Sequence, residues 1–196
     1  QETDYSAYPE ANFLRVSDTL EALQQLAAFH RSQFQIPVIG ITGSNGKTIV
    51  KEWLYQLLQP EHTIVRSPRS YNSQIGVPLS LWLMNEKHTL AIVEAGISRP
   101  GEMERLEQMI RPTIGVFTNI GDAHSEGFVS REAKEKEKRI LFREASEVPA
   151  LRVQSVTRNL QSSLIRANDP KQSGETISIE IPFIDEASIA NAVTCW

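Results

Sequence analysis

The sequence has 196 residues, a formal net charge of −4 and a single cysteine, Cys195. A hydrophobic share of 40% is enough for a folded core, and one cysteine excludes both a disulfide framework and a cysteine-based zinc cluster. The acidic balance gives no general attraction to nucleic acid or anionic membranes, and no apolar run approaches the roughly 18 residues of a membrane-spanning helix, so a soluble, cytoplasmic protein is expected.

Residues 1–35 are predicted to form a polar tail and a linker helix, in which Asp18 and Glu21 are spaced like the two ends of a capping box. From residue 36 onward, buried apolar runs typical of parallel strands alternate with segments of helical period. The strands are predicted at "IPVIGIT", "HTIVRS", "TLAIVEAG" and "TIGVFTNIG". The helices are predicted at "KTIVKEWLYQLL", "IGVPLSLWLM", "GEMERLEQMI" and "SREAKEKEKRILF". This alternation predicts an α/β fold, a mostly parallel sheet with helices on both faces.

The C-terminal part of the chain has a different pattern. After Glu147 the apolar runs are shorter, and "LRVQSVT", "SSLIRA" and "TISIEIPF" predict short, more antiparallel strands. A last helix is predicted to begin in "DEASIANAVTCW". In the helix that follows the first strand, six residues are predicted to form one apolar face: Ile49, Val50, Trp53, Leu54, Leu57 and Leu58.

The segment "GITGSNGKT" lies where the first buried strand turns into a helix. Glycines let the backbone curl so that its N–H groups can point at phosphate oxygens, and the helix N-terminus adds its positive dipole end. The lysine can reach the outer phosphates, and the threonine hydroxyl can ligate Mg²⁺. Ile41 departs from the general P-loop pattern, which has glycine there, and a glycine-rich turn that only caps the helix is the alternative. The predicted phosphate-binding residues are Gly43, Ser44, Asn45, Gly46, Lys47 and Thr48.

Further candidates follow the later strands, because ligands gather at the carboxyl ends of the strands in an open parallel sheet. Glu94 ends "TLAIVEAG" and could hold Mg²⁺, which prefers oxygen ligands; a capping or loop acid is the alternative. Asn119 and His124 follow the next strand in "TNIGDAH", and a structural histidine explains His124 equally well. Asn72 lies in "SYNSQIGVP", where an ordinary polar loop is the alternative.

Taken together, "GITGSNGKT", "YNSQIGVPLS", "VEAGISRPGEM" and "TNIGDAHSEGF" resemble the central, ATP-binding domain of the Mur ligases. The resemblance implies a P-loop NTPase-like domain over residues 36–196, cut off within its last helix, with the N- and C-terminal domains of the same protein as partners. The residues of these segments are most similar to those of the branch that joins D-alanyl-D-alanine to UDP-MurNAc-tripeptide. The resemblance implies that this reaction runs through an acyl phosphate and uses ATP and Mg²⁺. The ending "PFIDEASIANAVTCW" resembles ligases fused to an alanine racemase.

The resemblance also implies roles for individual residues. Lys47 would contact phosphates, Thr48 and Glu94 would bind the first Mg²⁺, and His124 would lie in the same metal region. Asn119 and Asn191 would belong to the nucleotide site. In two places the chain departs from the family pattern, since serine replaces asparagine at Ser73 and Ser188, and both departures concern expected contacts with the nucleobase.

The charged segment "SREAKEKEKRILF" contains the last candidate. Mur ligases carry a lysine fourteen residues after the motif histidine, which is Lys138 here, and in the family that lysine becomes a carbamate. The resemblance thus implies that Lys47, His124 and Lys138 are catalytic, and that the carbamate of Lys138 adds two oxygens of the kind that Mg²⁺ prefers as ligands. Lys138 is also expected to share a helical face with Leu141 and Phe142. Lys134 shares that face a turn earlier, further from the apolar packing, and Lys136 faces elsewhere. The alternative is that all three lysines are solvated.

Two other functions remain open from the sequence. One is a different amide ligase of the same superfamily, either the diamino-acid-adding Mur ligase or a folylpolyglutamate synthase. The other is a nucleotide-dependent switch that binds ATP and ligates nothing, because P-loops serve both kinds of protein.

Overall fold

The computed structural model describes residues 6, 8–121, 127–149, 151–168 and 176–196. Its helices are α1 (Thr19–Ser32), α2 (Lys47–Leu58), α3 (Gly76–Leu81), α4 (Glu102–Ile110), α5 (Arg131–Arg139) and α6 (Glu186–Cys195), with a 3₁₀ turn at Ile140–Phe142. Its strands are β1 (Val38–Thr42), β2 (Ile64–Arg66), β3 (Leu90–Glu94), β4 (Ile114–Phe117), β5 (Ser146–Glu147), β6 (Arg152–Arg158), β7 (Ser163–Asn168) and β8 (Thr176–Ile181). In these ranges no helix is both long and apolar enough to cross a membrane.

The larger sheet is parallel throughout and has the strand order β2-β3-β1-β4-β5. Its central strand, β1, is buried at every position and pairs with β3 on one side and β4 on the other. Helices α1, α3 and α4 with the 3₁₀ turn contribute to the core on one face, and α2 on the other. The predicted α/β class with helices on both faces is confirmed. Strand β5 was not predicted, because its two residues are polar and exposed.

The buried face of helix α2 differs from the apolar face that the sequence predicts for it. Val50 and Leu54 are buried as expected, but Ile49 is 46% exposed and Leu57 is 61% exposed. Lys51 is fully buried instead. The physical reason is that the ends of two strands give the Lys51 ammonium a carboxylate and two carbonyl groups as partners, which offset the cost of burying its charge.

Strands β6, β7 and β8 form a separate antiparallel sheet, as the pattern after Glu147 predicts. Its apolar side packs on α6, and this cluster reaches α2 through Trp53, whose ring stacks on Phe183 at a centroid distance of 5.6 Å. Helix α6 is capped by Asp185, whose side chain accepts a hydrogen bond from the Ser188 amide. The small sheet therefore holds α6 against the phosphate-loop helix.

Helix α5 is shorter than predicted. The Ser130 hydroxyl caps it by accepting from the Ala133 amide, and the α-helical hydrogen bonding ends at Arg139. The chain then tightens into the 3₁₀ turn, which buries Leu141 and Phe142 in the core. This buried turn anchors the C-terminal end of α5 at the sheet.

Candidate functional site

The loop after β1 has the backbone that its glycines predict. Gly43 has a φ of 143° and Gly46 a φ of 80°, in the region that side chains disfavour. A Cβ atom on Gly43 would lie 2.0 Å from the Thr118 hydroxyl oxygen, so no larger residue fits there. Helix α2 starts directly after Gly46, and no side chain in the described residues caps it. Its first-turn amides are therefore available to an anion.

The segment after β4 braces this loop. The Ser44 amide donates to the Asn119 carbonyl at 2.9 Å, and the Asn119 side chain pairs with the backbone N–H and C=O of Asn45, both at 3.2 Å. The Thr118 hydroxyl donates to the same Asn45 carbonyl at 2.6 Å. The structure therefore places Asn119 at the predicted site, where its described contacts shape the loop.

Asn191, from α6, packs on the opposite side of the loop. It is almost fully buried, and a Cβ atom on Gly46 would lie 2.2 Å from its Oδ1 atom. The predicted nucleotide-site residue thus lies against the phosphate loop itself. Its proposed role next to the nucleobase stays a prediction.

Replacing Gly46 with alanine is expected to lower the free energy of unfolding by about 2–4 kcal/mol, from left-handed strain plus the clash with Asn191. Gly101 gives a matched control, because it has a φ of 81° but no atom of the described residues lies within 4 Å of an added Cβ. Gly101→Ala should cost only about 1–2 kcal/mol. Denaturant unfolding and nucleotide titration of both variants measure the difference; equal losses in the two would contradict the packing of Asn191 on the loop.

Lys47 and Thr48 open helix α2 on the side of the loop that faces β3. The Lys47 ammonium donates to the carbonyls of Gly43 at 3.0 Å and Ser44 at 3.2 Å. Burial lowers the pKa of Lys47 below its usual value; Glu94 opposes this shift and Lys134 adds to it. The Thr48 hydroxyl donates to Glu94 Oε2 at 3.1 Å. The three predicted residues Lys47, Thr48 and Glu94 are therefore brought together.

The oxygen atoms of Thr48 and Glu94 fit a hard cation. Glu94 is fully buried at the end of β3, and its Oε2 atom also accepts from Asn72 Nδ2 at 3.3 Å. Its Oε1 atom accepts no aligned hydrogen bond from any described residue, although the Lys51 ammonium lies 2.9 Å away. Among the described residues, no group of three or more His, Cys, Asp or Glu side chains is placed so that it could hold a metal ion. This donor set suits Mg²⁺, which binds through one or two carboxylates together with phosphates and water.

Lys138 points into the same site. It is 2% exposed, and its ammonium donates to the Gly43 carbonyl at 3.1 Å, the same carbonyl that Lys47 contacts. Burial, together with the charges of Lys47 and Lys134, lowers the pKa of Lys138 to about 8. Lys136 is exposed, as predicted.

Lys134 differs from the expectation that it lies further from the packed surface. It is 1% exposed, and its ammonium donates to the Gly121 carbonyl at 2.8 Å. The reason is that the segment after β4 covers this turn of α5, a contact between distant parts of the chain. His124, the predicted metal-region histidine, lies outside the described residues.

The side chains of Lys47, Lys134 and Lys138 line one cleft of about 430 Å³ at the carboxyl ends of the strands. Its lining includes Gly43, Ser44, Lys47, Asn72, Ser73, Gln74, Gly96, Ser98, Glu102, Lys134 and Lys138. The three lysines make the cleft suitable for a polyanion. Asn72, which lines the cleft, donates to Glu94, so the hydrogen-bonded pair of Thr48 and Glu94 lies next to the cleft and suits a metal-bound phosphate chain.

Comparison with known proteins gives matches over most of the chain. Residues 41–151 match the family model described as the Mur ligase middle domain. The UDP-N-acetylmuramoyl-tripeptide–D-alanyl-D-alanine ligase of Treponema pallidum is 39% identical over 135 residues, which cover 68% of this chain and 29% of that protein. The chain therefore spans less than a third of this curated relative.

Solved structures give the same result for the fold. A crystal structure of MurF from Acinetobacter baumannii has a TM-score of 0.82 at 25% identity, covering 93% of this chain and 46% of that chain. The MurF ligase from Thermotoga maritima in complex with ADP also has a TM-score of 0.82, at 22% identity, covering 100% of this chain and 51% of that chain. The chain spans about half the length of these structures.

Proposed function

Because the chain belongs to the Mur ligase family, whose middle domain its residues 41–151 match, we propose that it is the ATP-binding domain of a longer ligase that joins D-alanyl-D-alanine to UDP-MurNAc-tripeptide. The names of the curated relatives support the dipeptide-adding reaction over that of the diamino-acid-adding ligase or folylpolyglutamate synthase. The observation that carries the proposal is that Lys47 and Lys138 share the Gly43 carbonyl and line one cleft, with Glu94 and Thr48 bonded in sequence behind its lining residue Asn72. The reaction belongs to the cytoplasm, where ATP is available.

The proposed reaction has two steps. The terminal carboxylate of the tripeptide attacks the γ-phosphorus of ATP, so that an acyl phosphate forms and ADP leaves. The amine of D-alanyl-D-alanine then attacks the acyl carbon, and the tetrahedral intermediate expels phosphate and loses a proton to give the amide. In the first step an anion approaches a polyanion, so the cations of Lys47 and Lys134 would lower the repulsion, and the first-turn amides of α2 would hold the phosphates.

Mg²⁺ would be held by Thr48 and Glu94. It would neutralise charge on the phosphate oxygens when it is bound. The ADP in the Thermotoga maritima MurF structure supports an adenine nucleotide in this domain.

Lys138 is proposed to carry a carbamate, as the family resemblance implies. Its neutral amine would attack the carbon of CO₂, forming a C–N bond while the amine proton leaves to solvent. The product is an anion with two oxygens, a hard ligand of the kind that Mg²⁺ prefers. The burial of Lys138 beside Gly43 supports this role, because it puts the amine at the phosphate loop.

The proposal is tested by comparing the full-length protein with residues 1–196 alone. With ATP, UDP-MurNAc-tripeptide and D-alanyl-D-alanine, the full-length protein is expected to release ADP and form the amide, which mass spectrometry detects. The 196-residue chain should form no amide, because the acceptor groups and the domain that closes over ATP are supplied by the flanking domains. Omitting the dipeptide, or offering a diamino acid or glutamate instead, provides the control.

Two outcomes would reject the proposal. ATP hydrolysis by the full-length protein that does not depend on any acceptor would favour the switch. Robust amide formation by the 196-residue chain would show that the catalytic groups all lie within it.

A further inference from the structure

Lys51 is a buried cation, and three of its partners lie on the metal side of the site, the region around Thr48 and Glu94. It follows Lys47 by one helical turn and is fully buried. Its ammonium lies 2.9 Å from Glu94 Oε1, and neither side chain of the pair is exposed. A buried charge is costly unless it is paired, and here each ion is the other's counter-charge.

The N–H bonds of the same ammonium go to the segment that follows β2. Lys51 donates to the Ser67 carbonyl at 2.8 Å and to the Arg69 carbonyl at short range. Arg69 has a φ of 47° and, with Arg111, is one of two non-glycine residues of positive φ in the described ranges. A left-handed residue is disfavoured by its own Cβ, so this turn depends on such external bonds.

The turn at residues 67–70, which Lys51 holds, also contacts the metal side of the site. The Ser70 hydroxyl lies 3.4 Å from the Thr48 hydroxyl, and Ser67 accepts a hydrogen bond from the Glu94 amide at 3.1 Å. Asn72 donates to Glu94 and accepts from the Gly96 amide at 2.7 Å. Helix α2, the turn after β2 and the end of β3 thus meet at one ammonium group.

We propose that Lys51 is a positioning residue that holds the Glu94 carboxylate and the turn at residues 67–70 in place around the Mg²⁺ position beside Thr48. This inference rests on the proposed function only for the metal; the coupling between Lys51 and Glu94 stands by itself. Lys51 contacts no phosphate-loop carbonyl, so its effect is directed to the metal side of the site and not to the nucleotide side.

A double-mutant cycle tests the coupling. In the full-length protein Lys51→Met is expected to lower the melting temperature by roughly 10 °C, because it leaves Glu94 as an unpaired buried charge. Glu94→Gln in the same chain should recover most of that loss. Additive losses in the double variant would overturn the coupling. If Lys51→Met does not fold, a folded double variant supports the coupling and an unfolded one overturns it.

A Mg²⁺ titration of ADP binding by calorimetry tests the positioning. Partners of a metal-ligating carboxylate affect metal affinity by about 10–100-fold. Lys51→Met should therefore lower the affinity for Mg²⁺ in the presence of ADP by that factor, while the affinity for ADP in EDTA stays unchanged. Glu52→Gln is the control, because Glu52 is a half-exposed partner 3.2 Å from the Lys51 ammonium, and its other ion pair among the described residues is with Arg66. Unchanged or tighter Mg²⁺ affinity in Lys51→Met overturns the inference. If Glu94→Gln also keeps the wild-type Mg²⁺ dependence, the proposed metal site itself is wrong.

Discussion

Replacing Lys138 with alanine in the full-length protein is expected to abolish amide formation, measured as product formed per enzyme with saturating substrates. The reason is that the carbamate oxygens proposed at this position would be lost, and with them a ligand on the metal side of the cleft. The rate should fall by roughly 100-fold or more, the upper range for groups that support a metal site. Short carboxylic acids such as acetate should restore part of the activity by occupying the space of the carbamate.

The environment of Lys138 supports reaction with CO₂. Only a neutral amine can react, and a pKa of about 8 leaves roughly a quarter of the amine neutral at pH 7.5, against about 0.1% for a lysine of ordinary pKa. Since the neutral fraction rises with pH, carbamate formation at limiting CO₂ should increase from pH 7 to pH 8. Removing bicarbonate from the buffer should reduce activity most at the lower pH.

Lys136 provides the matched control for this prediction. It lies on the same helix two residues away but is exposed. Lys136→Ala should keep wild-type activity. Full activity of the Lys138→Ala enzyme would contradict the carbamate assignment. So would an inactive Lys136→Ala enzyme together with a Lys138→Ala enzyme that no carboxylic acid rescues.

Replacing Lys47 with alanine is expected to reduce nucleotide affinity by roughly 100-fold or more, since a charge-assisted hydrogen bond contributes about 1.5–3 kcal/mol and Lys47 can reach two phosphates. The melting temperature should change by only about 2 °C, because the hydrogen bonds of the Lys47 ammonium within the described residues go to two backbone carbonyls, and its burial opposes its charge. Calorimetric titration with ATP and a thermal melt of the full-length protein measure the two effects.

The contrast between the two measurements gives this test its value. A lysine in a turn that only caps α2 would leave nucleotide affinity intact when removed. A large fall in melting temperature would mean that Lys47 stabilises the fold, and the loss of binding could then not be assigned to phosphate contacts.

The sequence predicted those features that depend on local pattern. The apolar run of β1 and the "GSNGKT" that follows it locate the phosphate loop, because buried parallel strands and glycine-dependent turns leave strong local signals. Glu94 was identified for a related reason, since parallel strands bring their carboxyl ends to one edge of the sheet. The spacing of the charged helix likewise separated Lys138 from Lys136.

Features that depend on distant contacts were not predicted. Lys51 stands on the same helical face as Lys47, which was the available signal, but its apolar neighbours dominated the predicted face of α2. The burial of Lys51 and Lys134 depends on Glu94 and Gly121, far away in the sequence. Side-chain pairing of this kind has no period, and the sequence alone gives no distance between the partners.

The packing of α6 on α2 has a consequence for synthesis of the protein. The Cys195 thiol donates to the Val50 carbonyl, 145 residues earlier in the chain, and Asn191 of the same helix closes over Gly46. A ribosome adds about 5–20 residues each second, so on the order of ten seconds pass between the two halves of this contact. During that interval the nascent chain already contains every residue of the phosphate loop but lacks the Asn191 side chain that packs against Gly46. The contact of Asn191 with Gly46 can therefore form only after α6 has been made, and the complete nucleotide site is expected to stabilise the growing chain only late in its synthesis.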